Sequence, residues 1–468
     1  MSAWHLIGVG GAGMSVVAAL LADRGESVSG SDARASVTVE ALRERGVSVA
    51  VGHDAAHVAA LPAGARVVVS TAVRESNPEL AAARARGLEV LHRSQALAWL
   101  MRERRVVAVA GAHGKTTTSA MLAVALTEAG LGPSFAIGGA VVGGPGALSG
   151  AGSGTGDLFV AEADESDGSF LAYAPHVALV TNVEPDHLDH FGSREAFEQV
   201  FADFAARIRD GGTLVACLDD DGARRLAERV RAEGRVRVVT YGTSHEADVV
   251  LDPVTGVVRF RVPLGAPDGA APAVPDDGPR LELAVPGTHN LLNASGALAV
   301  LVLLGVPVSR AVAGLAAFRG TGRRFEERGS VAGVRVVDDY AHHPTEVTAL
   351  LRAARTVAGT GRVLVLFQPH LYSRTAHFAS EFARALSLAD LAVVTDVYAA
   401  REDPVAGVTG ETITRHMAPD VGLFVADRTE AALRVAAHAR PGDLVLTVGA
   451  GDVTELGPVV LSALGGAP

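Results

Sequence analysis

Short apolar runs rich in valine recur along this chain, and each is separated from the next by an alanine- and arginine-rich stretch with helical periodicity. Strands that alternate with helices are joined as parallel neighbours through helical crossovers. The pattern therefore predicts an α/β fold of parallel sheets wrapped by helices. A first block has expected strands at 5–9, 27–31, 48–51, 67–70 and 89–91, then a helix over 94–104. A second opens with a strand at 106–110 and continues at 158–161, 177–181, 213–217 and 236–241. Residues 264–280 are rich in Pro, Gly and Ala and read as a hairpin tip, with 257–263 and 280–285 as its paired strands. A helix from about His289 closes this block. The third alternates again after Gly320, at 334–338, 363–367, 391–395, 422–425 and 444–448. The expected domains are 1–103, 104–320 and 321–468.

A length of 468 residues suits three such domains. The formal charge of −11 argues against a general nucleic-acid or anionic-membrane binder. Cys217 is the sole cysteine, which excludes an intrachain disulfide and fits a reducing, cytoplasmic compartment. Residues 1–20 lack the basic start of a signal peptide. The most membrane-like stretch, 291–308, carries Asn293, Ser295 and two glycines, so a buried helix with a loop is expected there and no membrane span.

Two glycine-rich turns carry the first chemistry. Gly8-Val9-Gly10-Gly11-Ala12-Gly13 follows a strand and precedes a helix, the place where backbone N–H groups approach a diphosphate. Asp32 ends the next strand, 19 residues after Gly13, where an acid meets a ribose in dinucleotide folds. The second turn, Ala110-Gly111-Ala112-His113-Gly114-Lys115-Thr116-Thr117, resembles a phosphate loop with Val109 at the place of its first glycine. Of 41 basic residues 40 are arginine, so Lys115 is the only lysine in the chain. Its ammonium suits the β/γ-phosphates and the Thr116 hydroxyl suits Mg²⁺. Any Schiff base or carbamylated lysine would have to use Lys115.

Further chemistry-bearing stretches begin where strands are expected to end. They are 162–167 (EADESD), 182–190 (NVEPDHLDH), 338–346 (DDYAHHPTE) and 367–374 (FQPHLYSR). Carboxylates at that edge beside a triphosphate suit Mg²⁺. Asn290 and Asn293 lie one helical turn apart, and Arg323 and Arg324 precede the third block.

In this order the motifs GVGGAGM, GAHGKTTT, EADESDGSF, TNVEPDHLDH, PGTHNLLNA, GRRFE, DDYAHHPTE, FQPHLYSR and GAGD resemble the Mur ligases across nearly the whole chain. The resemblance implies a Rossmann-like domain that binds a UDP-sugar, a central P-loop-type ATPase domain and a Rossmann-like C-terminal domain that binds an amino acid. It implies ATP-dependent amide formation in peptidoglycan synthesis, with ATP and Mg²⁺ as cofactors, by a monomer or homodimer. By the same resemblance, Gly111, Ala112, His113, Gly114, Lys115, Thr116, Thr117, Asn290, Asn293, Arg324 and Asp339 bind ATP. Thr116, Glu165 and His187 hold Mg²⁺, and Lys115, His187, Arg324 and His342 are catalytic. Gly11, Ala12, Gly13, Asp32, Ser70 and His92 meet the UDP-sugar, and Tyr340, His342 and Arg374 the amino acid. Family members that add later residues of the stem peptide carry a carbamylated lysine after the DH motif. Here 197–208 has no lysine. That matches the branch joining L-alanine to UDP-N-acetylmuramate, with a ligase that rejoins a murein tripeptide to the same sugar nucleotide as the alternative. Two departures stand out: Ala112 replaces a threonine before HGKT, and 400–403 (ARED) stands where many relatives have Ala-Gly-Glu. An NAD-dependent oxidoreductase and a non-enzymatic nucleotide switch are rival readings from other classes.

Overall fold

A computed structural model describes residues 2–142, 150–186, 191–265, 277–400 and 402–466. The strands form three sheets, one for each expected block.

The first sheet is wholly parallel and contains β1 (Ala3–Ile7), β2 (Ser27–Asp32), β3 (Ser48–Val51), β4 (Arg66–Val69) and β5 (Glu89–His92). Its order is β3-β2-β1-β4-β5. The direction of winding reverses beside β1, which opens a crevice at the carboxyl ends of β1 and β4. The Gly8–Gly13 turn and Ser70 lie at that edge. Trp4, Leu6 and Ile7 on β1 are fully buried. The helices between the strands start on Ser36, Asp54 and Asn77, whose side chains accept free N–H groups of the first turn.

The second sheet holds β6 (Arg105–Ala110), β7 (Ser134–Ala136), β8 (Ala151–Gly152), β9 (Leu158–Glu162), β10 (Val177–Val180), β11 (Thr213–Cys217), β12 (Arg237–Gly242), β13 (Val249–Leu251) and β14 (Val258–Phe260). The order is β14-β13-β12-β11-β10-β6-β9-β7-β8. Strands β6, β9, β10 and β11 are buried along almost their whole length, as helix-covered parallel strands must be. At each edge one antiparallel pair, β7–β8 or β13–β14, ends the sheet.

The expected pairing of 257–263 with 280–285 needs correction. Strand β14 runs antiparallel to β13, and among the described residues the expected pairing is reduced to one antiparallel bridge, Val257 to Arg280, with the Val258 N–H donating to Pro279 O and the Leu281 N–H to Gly256 O. The reason is reach: β13 precedes β14 by a short turn, whose Asp252 carboxylate accepts the Val254 N–H and closes it. Residues 266–276 of the expected tip lie outside the described residues.

Residues 1–282 and 292–319 form one compact unit that takes in the first two sheets. One hydrophobic core runs from Trp4 and Leu20 through Ala108 to Phe201 and Val230, so the first two blocks fold as a single body. Residues 283–291 and 320–468 form the second unit. Its sheet has β15 (Glu326–Val331), β16 (Val334–Asp339), β17 (Val363–Phe367), β18 (Leu391–Val394), β19 (Gly422–Phe424) and β20 (Leu444–Val448), in the order β15-β16-β20-β17-β18-β19. Separate clusters, one around Val337, Val365 and Leu446 and the other around Val336, Leu364 and Val445, cover its two faces. The unexpected β15 pairs with β16 across the two-residue turn Ala332-Gly333, in which both residues have positive φ.

Candidate active site

In the first unit the chemistry gathers at the carboxyl ends of β6, β9 and β10. Strand β6 delivers Gly111 to Gly114, and the helix Lys115–Glu128 begins immediately after. Gly111 has φ +136° and Gly114 φ +81°, and a side chain at either would crowd Thr181 Oγ1 or Asn293 respectively. Glycine is thus required by both backbone conformation and space. The His113 N–H donates to Asn182 Oδ1 at 2.9 Å, and its carbonyl accepts from Thr181 Oγ1 at 2.5 Å and Asn182 Nδ2 at 3.0 Å. These bonds tie the turn to the end of β10. His113 Nε2 lies 3.1 Å from the Glu184 carboxylate.

The Lys115 ammonium folds back over the turn. It donates to Gly111 O at 2.6 Å and to Glu165 Oε1 at 2.9 Å, with Glu165 Oε2 at 2.8 Å. Burial works against its charge, but Glu165, Asp164 and Glu162 outweigh burial and raise its pKa. Burial also pushes the Glu165 carboxyl up to about 7, against the pull of Lys115. Asp164 goes the other way. Burial opposes its ionisation, but Lys115 and Arg93 hold it down at about 2. One ammonium therefore faces several carboxylates, an arrangement suited to a partner that brings further positive charge.

Mg²⁺ fits this donor set. Thr116 Oγ1 donates to Glu162 Oε1 at 2.9 Å, and Glu162 Oε2 accepts the Gly138 N–H at 2.6 Å. Glu165 Oε2 is buried with no hydrogen bond of its own beside the Lys115 ammonium. Hydroxyl and carboxylate oxygens at a phosphate loop are hard ligands of the kind Mg²⁺ takes. His187, the other expected ligand, lies outside the described residues. Glu162 was not among the expected ligands, although it ends β9 on the same edge. Thr117 is buried one residue further along the helix, and Ala112 is half-buried in the turn.

The first sheet reaches the same region through the helix Arg93–Met101. Its Arg93 guanidinium pairs with Asp164 at 2.6 Å, and a side chain at Gly13 would collide with the same guanidinium. His92 caps that helix by accepting the Ser94 N–H, and its Nε2 lies 3.7 Å from Asp167. Burial lowers the His92 pKa. Gly11 and Ala12 are exposed at the start of the helix Ala12–Asp23, the end at which a helix binds anions, and the Gly11 N–H donates to Gly8 O at 3.1 Å within the turn. Asp32 does more than wait for a ribose: its Oδ2 accepts the Gly10 N–H at 2.9 Å and so shapes the turn. Ser70 is half-buried just beyond β4 and turns the chain by accepting the Val73 N–H. Asn293, on the helix Thr288–Leu303, is the residue that stands against Gly114.

The second unit gathers its own set at the ends of β16 and β17. Asp339 accepts N–H groups from Phe325 and Ala341, each at 2.8 Å, and burial raises its pKa to about 6 despite Arg324 nearby. Arg324 lies over the Tyr340 ring, 5.1 Å from its centre, and 3.6 Å from Glu346. His342 Nδ1 donates to Tyr340 O at 3.0 Å. The His342 ring meets that of His370 edge-on, and Arg374, only 6% exposed, lies 3.4 Å from His370 Nδ1. Asn290 is buried on the first turn of its helix and donates to Pro286 O at 2.6 Å. The amino-acid candidates Tyr340, His342 and Arg374 thus share one edge of this sheet.

Three consecutive matches cover this architecture. Residues 3–105 match the Mur ligase family catalytic domain, 109–301 the Mur ligase middle domain, and 323–451 the Mur ligase glutamate ligase domain. The chain belongs to the Mur ligase family. It is 59% identical to the UDP-N-acetylmuramate–L-alanine ligase of Kineococcus radiotolerans, covering 98% of this chain and 96% of that protein. The enzyme of the same name from Renibacterium salmoninarum is 55% identical over 98% and 95%. Among solved structures, the UDP-N-acetylmuramate–alanine ligase of Thermotoga maritima superposes with a TM-score of 0.78 at 28% identity, covering 99% of each chain. A murein peptide ligase from Psychrobacter arcticus gives 0.72 at 26%, covering all of both. As a Mur ligase fold, the chain has the family's three α/β parts in the family's order. No helix among the described residues is long and apolar enough to cross a membrane.

Proposed function

We propose that this Mur ligase joins L-alanine to the lactyl carboxylate of UDP-N-acetylmuramate, converting ATP to ADP and phosphate. The observation that carries the reading is the 59% identity to an L-alanine ligase across 98% of the chain. The Lys115 loop with its carboxylates supplies the matching chemistry. In functional terms the parts are 1–103 for the UDP-sugar, 104–320 for ATP and 321–468 for alanine, working in the cytoplasm as a monomer or homodimer.

A free carboxylate is a poor electrophile, so it must first be activated. The lactyl carboxylate attacks the γ-phosphate of ATP, its oxygen forms the new P–O bond and ADP leaves. The alanine amine then attacks the acyl carbon, loses a proton, and the tetrahedral intermediate expels phosphate. The first step brings two anions together, and the protein's task is to neutralise them. Lys115 is already ionised and desolvated, and it exchanges its contact with Glu165 for the phosphates. Backbone N–H groups of Gly111–Thr117 cradle the same phosphates. Mg²⁺ held by Thr116, Glu162, Glu165 and His187 would supply further positive charge there. Asn290, Asn293 and Asp339 hold the adenosine, and Arg324 offsets phosphoryl charge. Arg374 pairs with the alanine carboxylate through its planar fork, while Tyr340 and His342 place the amine. Gly11, Ala12, Gly13, Asp32, Ser70 and His92 hold the UDP-sugar.

The test is phosphate release with ATP-Mg²⁺ and UDP-N-acetylmuramate, using L-alanine in one arm and the murein tripeptide in the other. Release with alanine is expected. Release with tripeptide alone would make the enzyme a recycling ligase instead.

A further inference from the structure

The first sheet contains a buried cluster with no part in the reaction as described. Glu79, on the first turn of the helix Pro78–Ala85, is 0% exposed, yet it carries a carboxylate. Five groups from four elements converge on it. Ser31 Oγ donates to Oε2 at 2.5 Å, and His57 Nδ1 donates to Oε1 at 2.6 Å. The Asp54 N–H donates at 3.2 Å, His5 Nε2 lies at 3.4 Å and His53 Nδ1 at 3.7 Å. His53 Nδ1 also lies 2.9 Å from Ser31 Oγ, and His5 Nδ1 is 2.9 Å from Ser29 Oγ. A carboxylate that only needed burial would be cheaper as a glutamine or an apolar side chain, since desolvating a charge is costly.

The position of Ser31 shows what the cluster can control. The Ser31 carbonyl accepts the N–H groups of Gly8 at 2.8 Å and Val9 at 2.9 Å, the first two residues of the glycine turn. Its neighbour Asp32 accepts the N–H of Gly10. The turn that presents Gly11, Ala12 and Gly13 therefore hangs from Ser31-Asp32, and Ser31 is itself held by Glu79. A rigid anion cradle needs its N–H groups fixed before the ligand arrives.

We propose that Glu79 is a positioning residue for the UDP-sugar, acting through Ser31 on the Gly8–Gly13 turn. His5 and His57 orient its carboxylate from β1 and from the helix before it, and His53 holds the Ser31 hydroxyl from the other side. This inference rests on the first sheet being the UDP-sugar site. It names a determinant of affinity at that site that touches no substrate.

The test uses the full-length enzyme and the variants Glu79→Gln, Ser31→Ala and the double variant. Kinetic constants are measured for each substrate, together with calorimetric binding of UDP-N-acetylmuramate alone. Each single variant is expected to raise the UDP-sugar KM and Kd by about tenfold or more. The KM values for ATP and alanine, and kcat at saturation, stay within about twofold, since these measure parts of the enzyme the cluster does not reach. The double variant is expected to be no worse than Glu79→Gln, because both changes cut the same link. Ser31→Ala removes one hydroxyl and keeps the carbonyl, so it reports even if Glu79→Gln does not fold. Unchanged UDP-sugar affinity in folded Ser31→Ala, or fully additive losses in the double variant, would overturn the proposal. Failure of the wild-type enzyme to bind the UDP-sugar would instead overturn the functional reading on which it rests.

Discussion

At the scale of single residues the active-site loop depends on what cannot be exchanged. The chain uses arginine 40 times and lysine once, at Lys115. Its ammonium fits as a compact charge between Gly111 O and Glu165, a space that a planar guanidinium does not match. Lys115→Arg is expected to lose about 100-fold or more in kcat, the scale of losing a phosphate-stabilising donor. Its unfolding midpoint should remain close to that of the wild type, and near-normal turnover would remove Lys115 from its assigned role. Gly114→Ala tests the turn itself. A left-handed backbone at φ +81° and contact with Asn293 make the methyl group costly by about 1–2 kcal/mol. A lower unfolding midpoint together with a raised ATP KM is the expected result. These residues were legible in the sequence because the loop is contiguous and each part follows a strand. Arg93 was not. Its partner Asp164 lies 71 residues away, and only the fold brings them together.

At the scale of elements, the strands that could be read were those buried on both faces, such as β10 and β17, whose apolar runs have no polar alternation. Those missed were the short strands β7, β8 and β13 near the two ends of the second sheet and the largely polar β15. The turn before β16 is Ala-Gly rather than the Asn-Gly that usually marks a hairpin, so no local signal announced β15. The Glu79 cluster was likewise invisible, because it collects groups from β1, β2, the end of β3 and two helices. Its linkage to stability can be measured. Burial opposes ionisation of Glu79, but hydrogen bonds from His5, Ser31, His57 and Asp54 outweigh it and bring the pKa down from 4.5 to about 2. A depressed acid stabilises the fold above its unfolded value, and that stability is lost as pH falls through the folded one. The difference corresponds to about 3 kcal/mol at neutral pH. Urea unfolding of wild type and Glu79→Gln should therefore diverge most above about pH 5 and converge as pH drops from 4.5 towards 2. A stability gap independent of pH would contradict the assignment.

At the scale of the molecule, the order of the parts constrains the chemistry. A glycine turn that suits a diphosphate is followed by a loop that suits a triphosphate, and the two meet through Arg93 and Asp164 inside one compact unit. The second unit brings a separate edge with Arg324, Tyr340, His342 and Arg374. A dehydrogenase would have no use for the Lys115 loop, and a nucleotide switch would have no use for the edge proposed to take alanine. Coupling is the property that distinguishes the ligase: hydrolysis of ATP should depend on both other substrates. The most direct measurement is ADP formation by the purified enzyme with ATP-Mg²⁺, omitting UDP-N-acetylmuramate and L-alanine in turn. The expected result is one ADP for each amide formed, with only background turnover when either substrate is left out. ADP formation that proceeds at the full rate without the sugar nucleotide or without alanine would contradict the account.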